Sequence, residues 1–511
     1  MDYGNLINLY GSGLYLLGDW SNWILVIFGT GIGVLFGALP GITSTMSLVV
    51  FTPLTFKMEA GPAFLFLIAI YLGSVFGGAI AAVCVNIPGT PAAMVTTLDG
   101  YPLGLKGEAG KAISVATIAS VFGSIIGLIA LMLLAPFMAE WVKQFGSWEM
   151  ATVALMGMSI VSFISEGPMV KGLIGGAIGL LIATVGYDPV TAFPRFTGGQ
   201  IQLTAGLNDI VIMIGVFGVS EVLVYMSKLV HMDIMQKIKM EVRDSFSIVK
   251  KYWLGVIRSS LIGTIIGIIP AAGGGIGSVC AYGAAKQFSK EPEKFGTGHY
   301  EGIVSSESAN NASVGGALLP MMTLGIPGDP MTAVLIGGLM LHGLVPGPLL
   351  FQDSPQVVSA IFLGLALSTV FMLGWGLLGA KVFSKALSIP AHLLYPTVLI
   401  FCVVGTFVLR YSLFDVGVMI VSGIIAFFLR RIQISPMAII LGVILGPMVE
   451  ENFRRCMMLT QGSFLPFFTR PISLIFILIT VALFIGGVFQ SRKLQKSNNN
   501  SNKLNINSSR G

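Results

Sequence analysis

Apolar runs about as long as a bilayer is thick recur along nearly the whole chain, and prolines and glycines interrupt several of them at matched places. The runs include Trp23 to Leu39, Ala63 to Val85, Ile113 to Leu134, Gly172 to Val185, Val357 to Leu378 and Ile472 to Val488. A helix needs roughly 20 apolar residues to cross the hydrocarbon core. The pattern predicts an all-α polytopic membrane protein of roughly a dozen segments, some short and interrupted. No soluble core could hide this surface. Hydrophobic residues make up 54% of the chain, charged residues only 10%, and the mean hydropathy is +0.87, where a soluble domain carries about 25% charge.

Glycine supplies 65 of 511 residues. Most of these glycines, such as Gly33/Gly37 and Gly263/Gly267, are expected to let helices pack closely. The cysteines Cys84, Cys280, Cys402 and Cys456 are dispersed and form no C-x-x-C pair, so they report neither a metal nor a redox site. The net charge of +6 comes from loop residues rather than from one basic face, so it reports topology and no nucleic-acid partner is expected. The first apolar run has no basic residue before it and no convincing cleavage site, which predicts insertion through the chain's own helices.

Residues 1 to 56 contain no Lys or Arg, whereas Lys228, Lys237, Lys239, Arg243, Lys250, Lys251 and Arg258 crowd residues 228–258. The positive-inside rule places that linker in the cytoplasm. The linker separates a first membrane repeat, 1–227, from a second repeat with extra helices, 259–490. The tail, 491–511, is polar and basic and reads as disordered and cytoplasmic.

The two halves carry the same interruptions in the same order. The first reads G-A-L-P-G-I-T from Gly37, G-G-A from Gly77 and N-I-P-G-T-P from Asn86. The second reads G-I-I-P-A-A-G-G-G from Gly267, G-G-A from Gly315 and G-I-P-G-D-P from Gly325. Pro40 and Pro270 lie 230 residues apart, Pro88 and Pro327 239 apart. Three matches in order point to a duplication. The first break is flanked only by Asp19, Lys57 and Glu59, the second by Lys250, Lys251, Arg258, Lys286, Lys290 and Lys294. If both are re-entrant hairpins, they open to opposite sides, as in the inverted repeats of secondary transporters.

A proline in a membrane helix frees backbone carbonyls that lipid cannot satisfy, so such a break persists only inside protein or beside a watery cavity. A single break is readily a packing kink, but four in two matched pairs suit a transport site. Beside them lie Thr43, Ser44, Thr45, Asn86, Thr90, Ser305, Ser306, Glu307, Ser308, Asn310 and Asn311. These hydroxyls and amides suit an alkali cation or a carboxylate. Glu307 either sits at membrane depth, where a carboxylate costs about 2.5 to 3.5 kcal/mol and marks an ion path, or starts a helix in interfacial water. Thr90 and Asp329 each precede a proline and read as helix N-caps.

Enzyme readings fare worse. The four histidines are scattered, no H-E-x-x-H occurs, and Tyr187-Asp188 lacks the G-x-G-D partner of an intramembrane aspartyl protease. The stretch Gly104 to Ala112 only superficially resembles a P-loop, because Lys111 is followed by Ala112. An integral membrane enzyme or a channel stays the competing class.

These motifs, with Y-L-G-S-V-F-G-G and E-S-A-N-N-A-S-V-G-G, resemble the large membrane subunit of the tripartite tricarboxylate transporters from about Gly31 to the last membrane helix. The resemblance implies a secondary transporter in the bacterial inner membrane that imports citrate or a related carboxylate, coupled to a cation, usually sodium. It also implies a small membrane subunit and an extracytoplasmic solute-binding protein as partners, and no other cofactor. The expected carboxylate site is Pro40, Gly41, Thr43, Ser44, Asn86, Pro88, Gly89, Thr90, Gly273, Gly274, Gly275, Asn310 and Asn311. The expected cation site is Glu307, Ser308, Asn310, Gly328 and Asp329.

Overall fold

A computed structural model describes residues 8–39, 42–164, 169–188, 191–227, 242–270, 272–379, 382–383 and 391–485. Pro40 and Gly41, linker residues 228–241 and the tail lie outside the described residues. The chain is all-α apart from a two-residue antiparallel pair, Gly186–Tyr187 with Pro194–Arg195. Among the described residues eight helices are long and apolar enough to cross a bilayer, with five shorter apolar helices beside them.

The chain forms two compact units, one within Met1–Gln144 and Ile210–Phe427, the other within Phe145–Asp209 and Phe428–Gly511. In the first unit the order is α1 (Trp20–Ala38), α2 (Ser44–Phe51), α3 (Ala60–Val85), a 3₁₀ turn (Pro91–Ala93), α4 (Met94–Leu103) and α5 (Ala109–Val142). In the second unit, α6 (Ser147–Ile164) and α7 (Met169–Ala183) follow. The first unit resumes with α8 (Asp209–Met226), α9 (Val242–Lys251), α10 (Trp253–Ile268), α11 (Gly273–Phe288), α12 (Tyr300–Leu324), α13 (Pro330–Leu341), α14 (Pro355–Leu378), α15 (Ala391–Arg410) and α16 (Leu413–Arg431). The second closes with α17 (Pro436–Leu459) and α18 (Pro471–Ile485).

The element series α1 to α5 repeats as α10 to α14, and so does the packing. Helix α1 lies along α3 as α10 lies along α12; α5 packs on α12 as α14 packs on α3. A Cβ at Gly33 or Gly37 would collide with the backbone of Ile70 or Ser74, and one at Gly263 or Gly267 with that of Ala309 or Ser313. In return, Gly77 leaves room for the Val34 carbonyl and Gly316 for that of Thr264. These seams require the small residues that the sequence offered. They also correct the register of the repeat. Gly77 answers Gly316 and Gly78 answers Ala317, so the two G-G-A strings are offset by one residue and the interval of 239 holds along the whole of α3 and α12.

Two of the interruptions are capped breaks of the same design. Helix α3 ends at Asn86 (φ 55°) and α12 at Gly325 (φ 69°), both left-handed, the conformation that stops a helix. The Thr90 hydroxyl accepts from the Ala93 N–H at 3.1 Å and the Asp329 carboxylate from the Thr332 N–H at 2.8 Å, with Pro91 and Pro330 at the first helical position. Both ends were legible as N-caps before proline.

Helices α10 and α11 fold back on each other, with a Cβ at Gly277 reaching within 3.4 Å of Gly263. Their 16 residues each are too short to span about 30 Å. They form a helical hairpin. Of the basic linker residues, Arg243, Lys250 and Lys251 lie within α9 and Arg258 within α10.

In the second unit α17 packs along α7, where Gly179 faces the Ile439 carbonyl and Gly442 that of Gly176. Its charges are paired: Asp188 with Arg454 at 2.6 Å, Arg195 with Glu450 at 2.6 Å, and Glu149 with Arg470 at 3.2 Å.

Candidate functional site

Four short helices begin at the interruptions: α2 after Thr43, the turn and α4 after Thr90, α11 after Ala272 and α13 after Asp329. Their starts meet crosswise. The Pro91–Ala93 turn packs on α11, and α2 packs on α13 with the Thr45 hydroxyl 3.4 Å from the Met331 sulfur. A Cβ at Gly273 would stand 3.4 Å from that of Asp329, and one at Gly274 would crowd the Asn310 amide, the Ser313 hydroxyl and Ala92. Only glycine leaves this meeting point open, and Gly273 also takes φ 56°.

The caps differ. Thr43 accepts from the Met46 N–H at 3.3 Å, and Thr90 caps with a neutral hydroxyl. Among the described residues no side chain caps α11, so its first N–H groups are left without a cap between the Thr90 turn and Asp329. Asp329 puts a carboxylate on α13 within a capping box with Thr332. Its other oxygen accepts the Tyr71 hydroxyl at 2.5 Å. The 239-residue interval sets Tyr71 opposite Asn310.

The expected site residues divide into groups. Thr90, Gly273, Gly274, Gly275, Asn310, Gly328 and Asp329 surround the helix starts. Gly89 is pressed against the Gly37 carbonyl and Gly328 against Ala317. Ser44 is buried with a hydroxyl lacking any hydrogen bond. Pro88 is half-buried, and Asn86 is exposed at the left-handed stop. The two asparagines separate, as neighbours on a helix point about 100° apart. Asn310 faces α3, its Nδ2 3.4 Å from the Val75 carbonyl. Asn311 faces α5, donating to the Ser120 hydroxyl at 2.7 Å.

Glu307 is fully buried, which removes the interfacial alternative. Thr96 on α4 donates to one carboxylate oxygen at 2.5 Å and Ser120 on α5 to the other at 3.3 Å. Ser308 turns its hydroxyl to the backbone of its own helix, 2.7 Å from the Val304 carbonyl. Sequence reasoning missed Tyr71, Thr96 and Ser120, polar residues in or beside apolar runs. Aligning the halves at 239 residues would have flagged Tyr71 as the partner of Asn310.

Beyond each N-cap, about two and a half turns on at Asp99 and about three and a half at His342, a clasp ties the short helix to a loop of the opposite half. Asp99 on α4 accepts the N–H groups of Gly296, Gly298 and His299 at 2.8 to 3.0 Å and the Tyr282 hydroxyl at 2.8 Å. After α13, the His342 ring sets Nδ1 2.8 Å from the Gly338 carbonyl and Nε2 3.1 Å from the Thr55 carbonyl.

Residues 23–441 match the sequence model of the tripartite tricarboxylate transporter TctA family. The chain is 34% identical over 452 residues to an uncharacterized 52.8 kDa protein in the TAR-I ttuC' 3' region of Agrobacterium vitis, covering 88% of this chain and 90% of that protein. It is 35% identical over 211 residues to an uncharacterized protein in the TAR-II ttuC' 3' region of the same organism, covering 41% of this chain and 87% of that one. No solved structure matches.

Proposed function

As the chain belongs to the tripartite tricarboxylate transporter TctA family, and so is a multi-pass membrane component of a tripartite system, we propose that it is a secondary active importer of citrate or a related tri- or dicarboxylate, coupled to a cation, with sodium as the ion. It works in the bacterial inner membrane, with its C-terminal tail in the cytoplasm, beside a small membrane subunit and an extracytoplasmic solute-binding protein. The observation that carries this reading is the crosswise meeting of capped helix starts, with one charged cap and one uncapped glycine-rich start.

The uncapped start of α11, at Gly273 to Gly275, offers N–H groups to an anion, and the neutral Thr90 cap opposite does not repel it. Thr43, Ser44 and Asn310 supply further donors to carboxylate oxygens. Asp329 compensates the field of α13, so the coupling cation sits on that side and toward Glu307. Filling both positions together links the two gradients, because each ligand changes the field that the other experiences.

Reconstitution of the chain with its partner subunits into liposomes tests this. An inward sodium gradient should drive uptake of radiolabelled citrate or another carboxylate, and collapsing the gradient with a sodium ionophore should abolish it. Uptake indifferent to the sodium gradient would overturn sodium coupling, and a panel of carboxylates without uptake would overturn the transport reading.

A further inference from the structure

We infer that Thr96, Ser120, Glu307 and Asn311 form the seat of one sodium ion, which ties α4 and α5 of the first half to α12 of the second. The inference rests on the cation coupling proposed above and assigns it a place.

The Glu307 carboxylate is fully buried, and among the described residues no Lys, Arg or His forms an ion pair with it. Its partners are neutral: the hydroxyls of Thr96 and Ser120 and the Asn310 amide. A carboxylate so placed keeps its charge only if a cation compensates it. A second observation points to the same spot. The Asn311 amide reaches the cluster through its bond to Ser120, yet its Oδ1, on a residue with no exposure, has no hydrogen-bond partner.

The carboxylate and the two hydroxyls therefore meet at one buried place, which the Asn311 amide joins through Ser120. An all-oxygen set of this kind suits a small hard cation and no soft metal. When the ion enters, the Thr96 proton can turn to the Ser306 hydroxyl, 3.0 Å away, leaving its lone pairs to the ion. The ligands come from both halves of the duplication, so occupancy fixes α4, whose first turn carries the Thr90 cap, against α12. Cation binding thereby sets the geometry of the carboxylate site.

The test is binding of ²²Na⁺ to the purified full chain in detergent, with Glu307→Gln, Thr96→Val and Ser120→Ala compared with Ser114→Ala, a buried hydroxyl on the same helix as Ser120 that bonds only the Gly110 carbonyl. Glu307→Gln should abolish saturable binding, Thr96→Val and Ser120→Ala should weaken it about tenfold each, and Ser114→Ala should leave it unchanged. The mild Ser120→Ala variant keeps the test decisive if Glu307→Gln does not fold. Unchanged affinity in Ser120→Ala and Thr96→Val, or no saturable sodium binding to the parent chain with or without citrate, overturns the seat. If sodium-driven uptake persists in those variants with unaltered sodium dependence, the seat alone falls and the transport reading stands. Saturable sodium binding that depends on these side chains, in a chain that moves no carboxylate, upholds the seat and overturns the transport reading.

Discussion

The turn at Asn86 to Pro91 and the turn at Gly325 to Pro330 share stop, proline, cap and close glycine, yet they end in different chemistry. Thr90 makes its cap bond and offers no charge. Asp329 is held by Thr332 and by Tyr71 from the opposite half. A duplicated backbone can thus be kept while one position carries a charge in one copy and none in the other. The seams that set the turns are made of backbone and glycine, so they tolerate this divergence.

Several measurements would break or sharpen that comparison. The largest expected effect is on orientation. An impermeant thiol reagent applied from outside should label Ser12→Cys and not Ser247→Cys, an exposed position on α9, in a chain otherwise stripped of cysteine. Equal labelling would end the opposite orientation of the halves.

Next in size is Thr90→Asp, which keeps a capping side chain but sets a carboxylate opposite the start of α11. Citrate uptake should fall to background while the protein stays in the membrane. Robust uptake would remove the anion from this turn.

Asp329→Asn should act on the other ligand, since the amide still caps α13 and can donate to Tyr71. The half-saturating sodium concentration should rise about tenfold, with that for citrate shifting less than about threefold. Equal shifts in both would dissolve the division of roles.

The smallest effects separate the two asparagines. Asn310→Ala should raise the half-saturating citrate concentration about fivefold and Asn311→Ala that for sodium by a similar factor. Matching profiles in the two variants would contradict the split seen along α12.

Much of this was open to sequence reasoning because backbone rules wrote it. Proline and glycine inside apolar runs marked the four breaks, and Thr90 and Asp329 before proline marked two of the caps. The polar interior was harder to read. Helix α12 is crossed by Ser305 to Ser313 and escapes a hydropathy search, because protein surrounds it on nearly every side. Thr96 and Ser120 look like packing residues until the fold brings Glu307 to them from about 200 residues away. The string G-G-A even suggested the wrong register, since glycine identity is cheap in such a chain and only the contacts show which glycine makes room for which carbonyl.

The glycine seams also bear on mechanics. Helices that touch backbone to backbone, as α1 does α3 and α10 does α12, have no rotamers to exchange and little room to slide. Each pair is a stiff lever, and bending is left to the joints: the capped turns and the loops held by Asp99 and His342. A working cycle in such a molecule is then a matter of which clasp lets go: the His342 ring reaches two carbonyls, whereas Asp99 holds four donors.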